Sequence, residues 1–218
     1  MIIETHCHTS GISVCADQPY KKLIAVYEAA GYGGLVLTNH YNEYTLRRLG
    51  DTVDSRVERY IDEVRKTAAA AEKCKVMLGA EVAISVPSGW AEFLLFGLKA
   101  DFLRANPELY NLTQKQLFRL CDDNGIVMVQ SHPFRSQQGH EPQDPEYMHG
   151  VEINCHPGFF RDREKVTAFA QKHGLLVTCG SDYHGAHFKP YGGIEADVSD
   201  VTALAQALRE NAYEIVER

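Results

Sequence analysis

Marks of export and membrane insertion are missing from this chain. No basic segment followed by an apolar core opens it, and no window approaches the roughly 18 consecutive apolar residues that a membrane span requires. A cytoplasmic location and no membrane partner are therefore expected. A cysteine framework is missing too. Cys7, Cys15, Cys74, Cys121, Cys155 and Cys179 contain no CxxC pair and no regular spacing, so free thiols in a reducing compartment are expected rather than disulfides. There is no Pro-rich or Gly/Ser-rich linker, no low-complexity tract and no internal repeat, so the 218 residues read as one domain, 1–218, able to bury a substantial core. Positive charge is short: 22 Lys and Arg stand against 29 Asp and Glu, a net charge of -7. That balance offers nucleic acid no general attraction, so nucleic acid is not expected as the main partner. Nothing in the sequence speaks to oligomeric state.

What the chain does have is histidine, 10 in all, placed mostly where strands should end. Ile2 to Thr5 reads as a short strand leading into His6-Cys7-His8, and Pro19 opens an apolar-periodic helix through Leu23, Ile24, Val26 and Tyr27 that Gly31 and Gly33-Gly34 stop. Leu35 to Thr38 reads as a strand buried on both faces that delivers Asn39 and His40. From Asp51 to Lys73 the apolar residues Val53, Val57, Tyr60, Ile61 and Val64 recur at helical spacing. Val76 to Val82 and Phe93 to Leu98 read as strands, the first carrying Glu81. Thr113 to Asp123 reads as a helix, Ile126 to Val129 as a strand ending at Ser131-His132-Pro133, and Val151 to Asn154 as a strand ending at Cys155-His156. A helix over Arg161 to Lys172, a strand over Leu175 to Cys179 ending at Asp182-Tyr183-His184, a helix over Val201 to Asn211 and a short strand-like tail at Glu214 to Val216 follow. This alternation predicts a parallel α/β architecture with crossover helices outside the sheet, and a closed or distorted barrel fits it best.

In a parallel barrel the loops at the C-terminal strand ends share one face, which turns scattered histidines into one site. His6 and His8 alternate on an extended segment, so both side chains point the same way and can hold one cation, while Cys7 between them faces the core. An HxH pair alone is a common pattern. Glu81 adds more, because a carboxylate in a buried strand carries a heavy desolvation cost unless it is paired or bound to metal. His40, His132, Asp182 and His184 each end a separate apolar run, and imidazole with carboxylate suits zinc, manganese or iron.

Taken together these residues resemble the PHP (polymerase and histidinol phosphatase) superfamily of metal-dependent phosphoesterases over nearly the whole chain. The motifs that carry the resemblance are Glu4-Thr5-His6-Cys7-His8-Thr9-Ser10, Leu37-Thr38-Asn39-His40, Gly79-Ala80-Glu81, Ser131-His132-Pro133-Phe134-Arg135 and Gly180-Ser181-Asp182-Tyr183-His184. The resemblance implies a distorted (β/α)7 TIM-like barrel and two or three divalent metal ions, zinc, manganese or iron, at its C-terminal face. It implies that His6, His8, Glu81 and Asp182 hold a first metal and that Glu81 bridges to a second held by His132. A third would lie between His40, His184 and one residue of the loop after His8, for which Cys15 and Asp17 are both candidates. Three positions depart from the family pattern. Glu4 and Asn39 stand where aspartates are usual, at positions expected to orient a ligand imidazole. Val82 to Leu98 lacks the histidine that many relatives supply to the second metal, and Glu92 or a water would have to take its place.

The activity implied is hydrolysis of a small phosphomonoester (of histidinol phosphate, nucleotide or sugar phosphate type), with a hydroxide bridging the metals attacking phosphorus. Arg135 is expected to neutralise phosphoryl oxygens; Asp182 or His184 could also protonate the leaving alcohol, but both are better placed as metal ligands. Arg161, Arg163 and His156 rank below Arg135 as phosphate contacts. His140, His149, His173 and His187 read as surface or supporting residues, and Tyr183 as a pocket-lining one. Two other readings compete: an amidohydrolase-type C–N or C–O hydrolase on a similar barrel, and a metal-binding PHP domain without turnover.

Overall fold

The computed structural model describes residues 1–135, 141–158 and 162–218, and the expectations for His140 and Arg161 fall outside them. Its elements run β1 (Ile2–Cys7), α1 (Tyr20–Ala29), β2 (Gly34–Leu37), β3 (His40–Tyr41), α2 (Glu43–Arg47), α3 (Val53–Ala70), β4 (Lys75–Leu78), β5 (Ala80–Val86) and β6 (Gly89–Phe96). There follow α4 (Ala100–Ala105), α5 (Gln114–Asp123), β7 (Val127–Gln130), β8 (Gly150–Asn154), α6 (Arg163–His173), β9 (Leu176–Gly180), β10 (Gly192–Glu195), α7 (Val201–Arg209) and β11 (Glu214–Glu217).

Local chemistry accounts for the helix ends. Thr52 and Thr113 each accept from a backbone N–H three residues on, and the side chain there bonds back, so α3 and α5 start with reciprocal caps. Gly174 takes the left-handed conformation (φ 68°) that ends α6.

The fold is α/β, as the alternation predicted, but its sheets are mixed. One runs β11-β10-β1-β2-β4 and the other β3-β5-β6-β7-β8-β9. The parallel expectation fails at β6, which is antiparallel to both β5 and β7, because only Pro87 and Ser88 separate it from β5, and so short a link can only reverse the chain. β10 and β11 are also antiparallel to their neighbours. No continuous ladder closes the two sheets into a barrel among the described residues. They meet through an isolated Cys7–Tyr183 bridge, through the steps from β2 to β3 and from β4 to β5, and through Thr5 Oγ1 donating to the Cys179 carbonyl at 2.7 Å. β3, β10, α2 and α4, which the periodicity did not reveal, are two to six residues long, too short to show a repeat.

The cysteine expectation is also corrected. Cys155 and Cys179 form a disulfide, whereas Cys7, Cys15, Cys74 and Cys121 are free. Parallel pairing of β8 with β9 (Ile153 opposite Cys179) brings the two Cα atoms to 6.4 Å, an approach that a separation of 24 residues does not announce.

Two apolar clusters flank the strands. The outer one joins them to the helices through residues such as Tyr27, Leu37, Tyr60, Phe93, Leu117 and Val166. The inner one gathers Ile3, Val36, Met77, Leu94, Phe96, Val127, Val129 and Ile194, and α7 packs onto it with Leu204, Ala205, Ala207 and Leu208. On β1 a register shift between Glu4 and Cys7 changes which residues face inward. Below the shift Ile3 joins the inner apolar cluster, and above it His6 and His8 turn inward instead. The polar site therefore sits directly above an apolar plug.

Candidate metal centre

His6 and His8 stand at the end of β1 with ring centroids 5.0 Å apart, while Cys7 points the other way and its thiol donates to the Val36 carbonyl. Both imidazoles meet Asp182, whose Oδ1 lies 3.3 Å from His6 Nε2, 3.3 Å from His8 Nε2 and 3.3 Å from His184 Nδ1. Glu81 stands at the other side and faces two pairs at once. Its Oε1 lies 3.3 Å from His6 Nε2 and 3.0 Å from His132 Nε2, and its Oε2 lies 3.5 Å from His8 Nε2 and 2.8 Å from His40 Nδ1. The parallel pairing of His40 with Glu81 makes them direct neighbours. Glu92, on β6, completes this side at 3.5 Å from both His40 Nδ1 and His132 Nε2.

His132 and Asp182 hold positive φ angles of 32° and 49°, which residues with a Cβ rarely adopt. Such backbone persists only where the surroundings enforce it. At His132 the enforcing group is Glu152, whose Oε2 accepts the His132 N–H at 3.1 Å while its Oε1 bonds His6 Nδ1 at 2.8 Å. Glu152 thus turns His6 so that Nε2 faces the cluster. Ser13 does the same for His8: its hydroxyl lies 3.2 Å from His8 Nδ1, donates to Asn39 Oδ1 at 2.9 Å and accepts from the His40 N–H at 3.0 Å. Asn154 donates to Asp182 Oδ2 at 3.1 Å. No sequence pattern marks Ser13 or Asn154, whereas Glu152 lies in the apolar run Val151-Glu152-Ile153, where the desolvation argument that singles out Glu81 applies unchanged.

Glu4 and Asn39 act differently from expectation. Glu4 accepts from the backbone N–H groups of His6 and Ser181 and from the Tyr27 hydroxyl, so it ties β1 to the segment after β9 and touches no imidazole. Asn39 holds the Thr9–Ser13 turn, and reaches His8 only through Ser13.

The electrostatics fit a cluster built for cations. Burial opposes charge on Glu81 and Asp182, yet the surrounding imidazoles hold both carboxyls well below the usual carboxylate range. Burial likewise opposes an imidazolium at His6 and His40, but facing carboxylates raise both. His8, whose burial is reinforced by repulsion from His184 and His40, is pushed well below the ordinary histidine value. Glu92 is driven up to about 8 by burial and by the Glu81 charge beside it, so of the two adjacent carboxyls Glu92 is the one that holds a proton more readily.

His6 Nε2, His8 Nε2, His40 Nδ1 and Glu81 Oε2 are buried and make no hydrogen bond among the described residues, although carboxylate or imidazole atoms stand within 2.8–3.5 Å of each. Four three-residue groups bring ligand atoms within 4.8 Å of one another: His8, His40 and His184; His6, His8 and Glu81; His6, His132 and Asp182; His40, Glu81 and Glu92. This nitrogen and oxygen set fits borderline divalent ions of the zinc, manganese or iron kind.

Asp17 is not brought into these groups. Its carboxylate accepts from the Ala186 N–H at 3.1 Å and so braces the turn after His184. Cys15 faces His40 and His184 instead; burial raises its thiol, but hydrogen bonds with the two imidazoles outweigh that and bring it down to about 6. Arg135 is 9% exposed and pairs with Asp182 Oδ2, so it is part of the site wall rather than a surface arginine. Arg163 reaches Glu217, away from the cluster, and His156 accepts from the Gly158 N–H at 3.1 Å within its own turn. Tyr183 is buried and donates to Gln18, so it does not line the cavity as expected. His173 and His187 are exposed, and His149 is half-buried against Met128 and Asp122.

Above the cluster opens a cavity of about 1030 Å³ into which His40, Glu92, His132, Arg135, Asp182 and His184 project. No helix among the described residues is long and apolar enough to cross a membrane.

No family model and no curated protein matches the chain. Solved structures do. The fold is similar to a two-domain protein from Bacteroides vulgatus containing a predicted PHP-like metal-dependent phosphoesterase (TM-score 0.69, 16% identity), covering 100% of this chain and 65% of that one. It is similar to an amidohydrolase from Chromobacterium violaceum (TM-score 0.55, 14% identity, 85% of this chain and 88% of that one). It is also similar to the lesion-specific endonuclease EndoQ from Pyrococcus furiosus (TM-score 0.60, 13% identity, 98% of this chain and 57% of that one). The chain thus spans less than two thirds of the Bacteroides and Pyrococcus proteins. At these identities the likeness is one of fold, and it coincides with the PHP resemblance carried by the motifs.

Proposed function

We propose that the chain is a metal-dependent phosphoesterase that hydrolyses a small phosphomonoester at the cluster centred on Glu81. The observation that carries this is the convergence of buried donor atoms without hydrogen bonds, His6 Nε2, His8 Nε2, His40 Nδ1 and Glu81 Oε2, at the floor of an open cavity. His6, His8, Glu81 and Asp182 would hold one ion, and His132, Glu81 and Glu92 a second, with the Glu92 carboxylate standing where an imidazole is usual. His40 and His184 would hold a third beside His8, with Cys15 better placed than Asp17 to join them. Bound divalent ions would supply Lewis-acid polarisation of the phosphoryl group and an acidified water.

The chain's own residues do the rest. Arg135, fixed by Asp182, presents a guanidinium to the cavity, where it matches phosphoryl oxygens in geometry and charge. That cation favours a phosphomonoester, which carries negative charge before reaction, over a neutral amide. Asp182 and His184 both face the cavity, their Oδ1 and Nδ1 atoms 3.3 Å apart, so either stands near the leaving oxygen. A proton for the leaving oxygen would come from whichever of the two is not engaged by an ion, or from a water held there. The net charge of -7 supports a small substrate over a nucleic acid. The two sheets read as one distorted barrel of a single domain, 1–218, with the seam at Cys7 and Tyr183.

Metal analysis by mass spectrometry and a phosphate-release screen on phosphomonoesters, amides and oligonucleotide ends test the reading together. Glu81→Ala is expected to lose most bound metal and all turnover, and Glu92→Gln to lose one equivalent of metal. Protein that binds two or more ions yet releases no phosphate above a His8→Ala control would instead be a metal-binding domain without turnover, and cleavage confined to the amides would make it an amidohydrolase.

A further inference from the structure

Among the described residues large apolar side chains are exposed at few places, and most of them share one cavity. Among the described residues, Val14, Tyr44, Val53, Trp90 and Ile215 are the large hydrophobics left open, and Val14, Tyr44 and Trp90 all line the cavity above the metal cluster. Apolar surface held open to water costs free energy in proportion to its area, so its concentration in one cavity marks a ligand-binding face. Tyr44 is 66% and Trp90 48% exposed, and Tyr110 joins them on the same wall.

Strand register sets how this wall stands to the metals. Trp90 and Glu92 lie two residues apart on β6, so they share a face of the strand and are separated by about 7 Å along it. Across the hairpin they pair with Ser85 and Ala83, both small, and Ser85 and Ala83 line the same cavity. Ascending that face, Leu94 belongs to the apolar plug, Glu92 to the metal cluster and Trp90 to the cavity wall. One phosphoryl group seated at the level of Glu92 would therefore place whatever it esterifies beside Trp90.

We propose that this wall is the leaving-group subsite and that the substrate is a phosphomonoester of an alcohol or phenol carrying a flat aromatic ring, packed against Trp90 and Tyr44. The proposal deepens the phosphoesterase reading and rests on it. Nucleoside monophosphates and aryl phosphates share this chemistry, with Asn42, Ser85 and Asn111 on the wall to bond polar ring edges. The reaction needs no co-reactant other than water: its oxygen bonds to phosphorus as the ester P–O bond breaks, and one of its protons ends on the leaving oxygen. The products are the aromatic alcohol and inorganic phosphate.

Trp90 is the only tryptophan in the chain, so its fluorescence reports binding at this wall separately from turnover. Metal-loaded protein is titrated with adenosine 5'-monophosphate, phenyl phosphate and glycerol phosphate, and emission and phosphate release are both read. Saturable emission changes are expected with at least one aromatic ester and not with glycerol phosphate, with a KM lower by about 10-fold or more for that ester. A response to both aromatic esters assigns the subsite to any aryl group, and a response to the nucleotide alone assigns it to a nucleobase. Trp90→Ala, and independently Tyr44→Ala, should shrink the aromatic-to-glycerol ratio of kcat/KM about 5-fold or more. Emission that responds without phosphate release keeps the subsite and defeats the hydrolase reading. Equal kcat/KM for all three esters, unmoved by either substitution, keeps the hydrolase and overturns the subsite.

Discussion

His149 lies away from the cluster and shows how a single proton is placed. Its Nδ1 accepts the Met128 N–H at 3.0 Å, so its proton sits on Nε2, which faces Asp122 Oδ1 at 3.1 Å. Burial, with Arg209 nearby, lowers its pKa below 6.5, outweighing Asp122. The unfolded chain then takes up a proton at His149 before the folded one does, so its contribution to stability is complete above 6.5 and is lost as pH falls through the depressed native value. Thermal unfolding followed from pH ~8 to ~5 should therefore show a shallower acid-side decline for His149→Gln than for the parent. An unchanged slope would remove His149 from the acid response. Within the site, the residue-scale lesson is that charge is settled by neighbours: Glu81 and Glu92, both buried, end with opposite shifts because only Glu81 is closely surrounded by imidazoles.

Between elements, the tightest constraint on the site is the contact of β9 with β1. A Cβ on Gly180 would lie 2.5 Å from His6 Cβ, 2.7 Å from Glu152 Oε1 and 3.0 Å from the His6 backbone nitrogen. All three neighbours are fixed, two of them belonging to the strand that carries a ligand and the third to the carboxylate that orients it. Gly180→Ala is expected to force β9 from β1, to cost about 1–3 kcal/mol as other overpacking substitutions do, and to reduce bound metal. Calorimetry and metal content check this, and full retention of both would mean the strands separate without moving His6. The shift in register on β1 works at the same scale: one irregularity lets a single strand supply Ile3 to the apolar plug and His6 to the cluster.

Taken whole, the molecule stacks an apolar plug, a polar floor and an open cavity along one axis, and gathers candidate metal ligands from β1, β3, β5, β6 and the segments after β7 and β9. Ions held by all of these should bind the folded chain alone, so their removal lowers stability by mass action. Chelation is expected to lower Tm by several degrees, since an ion at 100 times its Kd contributes about 2.7 kcal/mol and a domain of this size moves about 2–4 °C per kcal/mol. Differential scanning calorimetry with and without a chelator tests this, and an unchanged Tm would speak against metal bound at the cluster. Most of the elements and all of the histidines at the floor were legible in the sequence, because helix periodicity, apolar runs and buried charge are local properties. Glu81 stood out for that reason, and Glu152 could have. The antiparallel turn of β6, the Cys155–Cys179 disulfide, the placing of Cys15 rather than Asp17 beside His40 and the sharing of one cavity by Trp90 and the histidine–carboxylate cluster were not legible. Each depends on which strands become neighbours and in what register, and that is decided by packing among residues far apart in the chain, which no local pattern encodes.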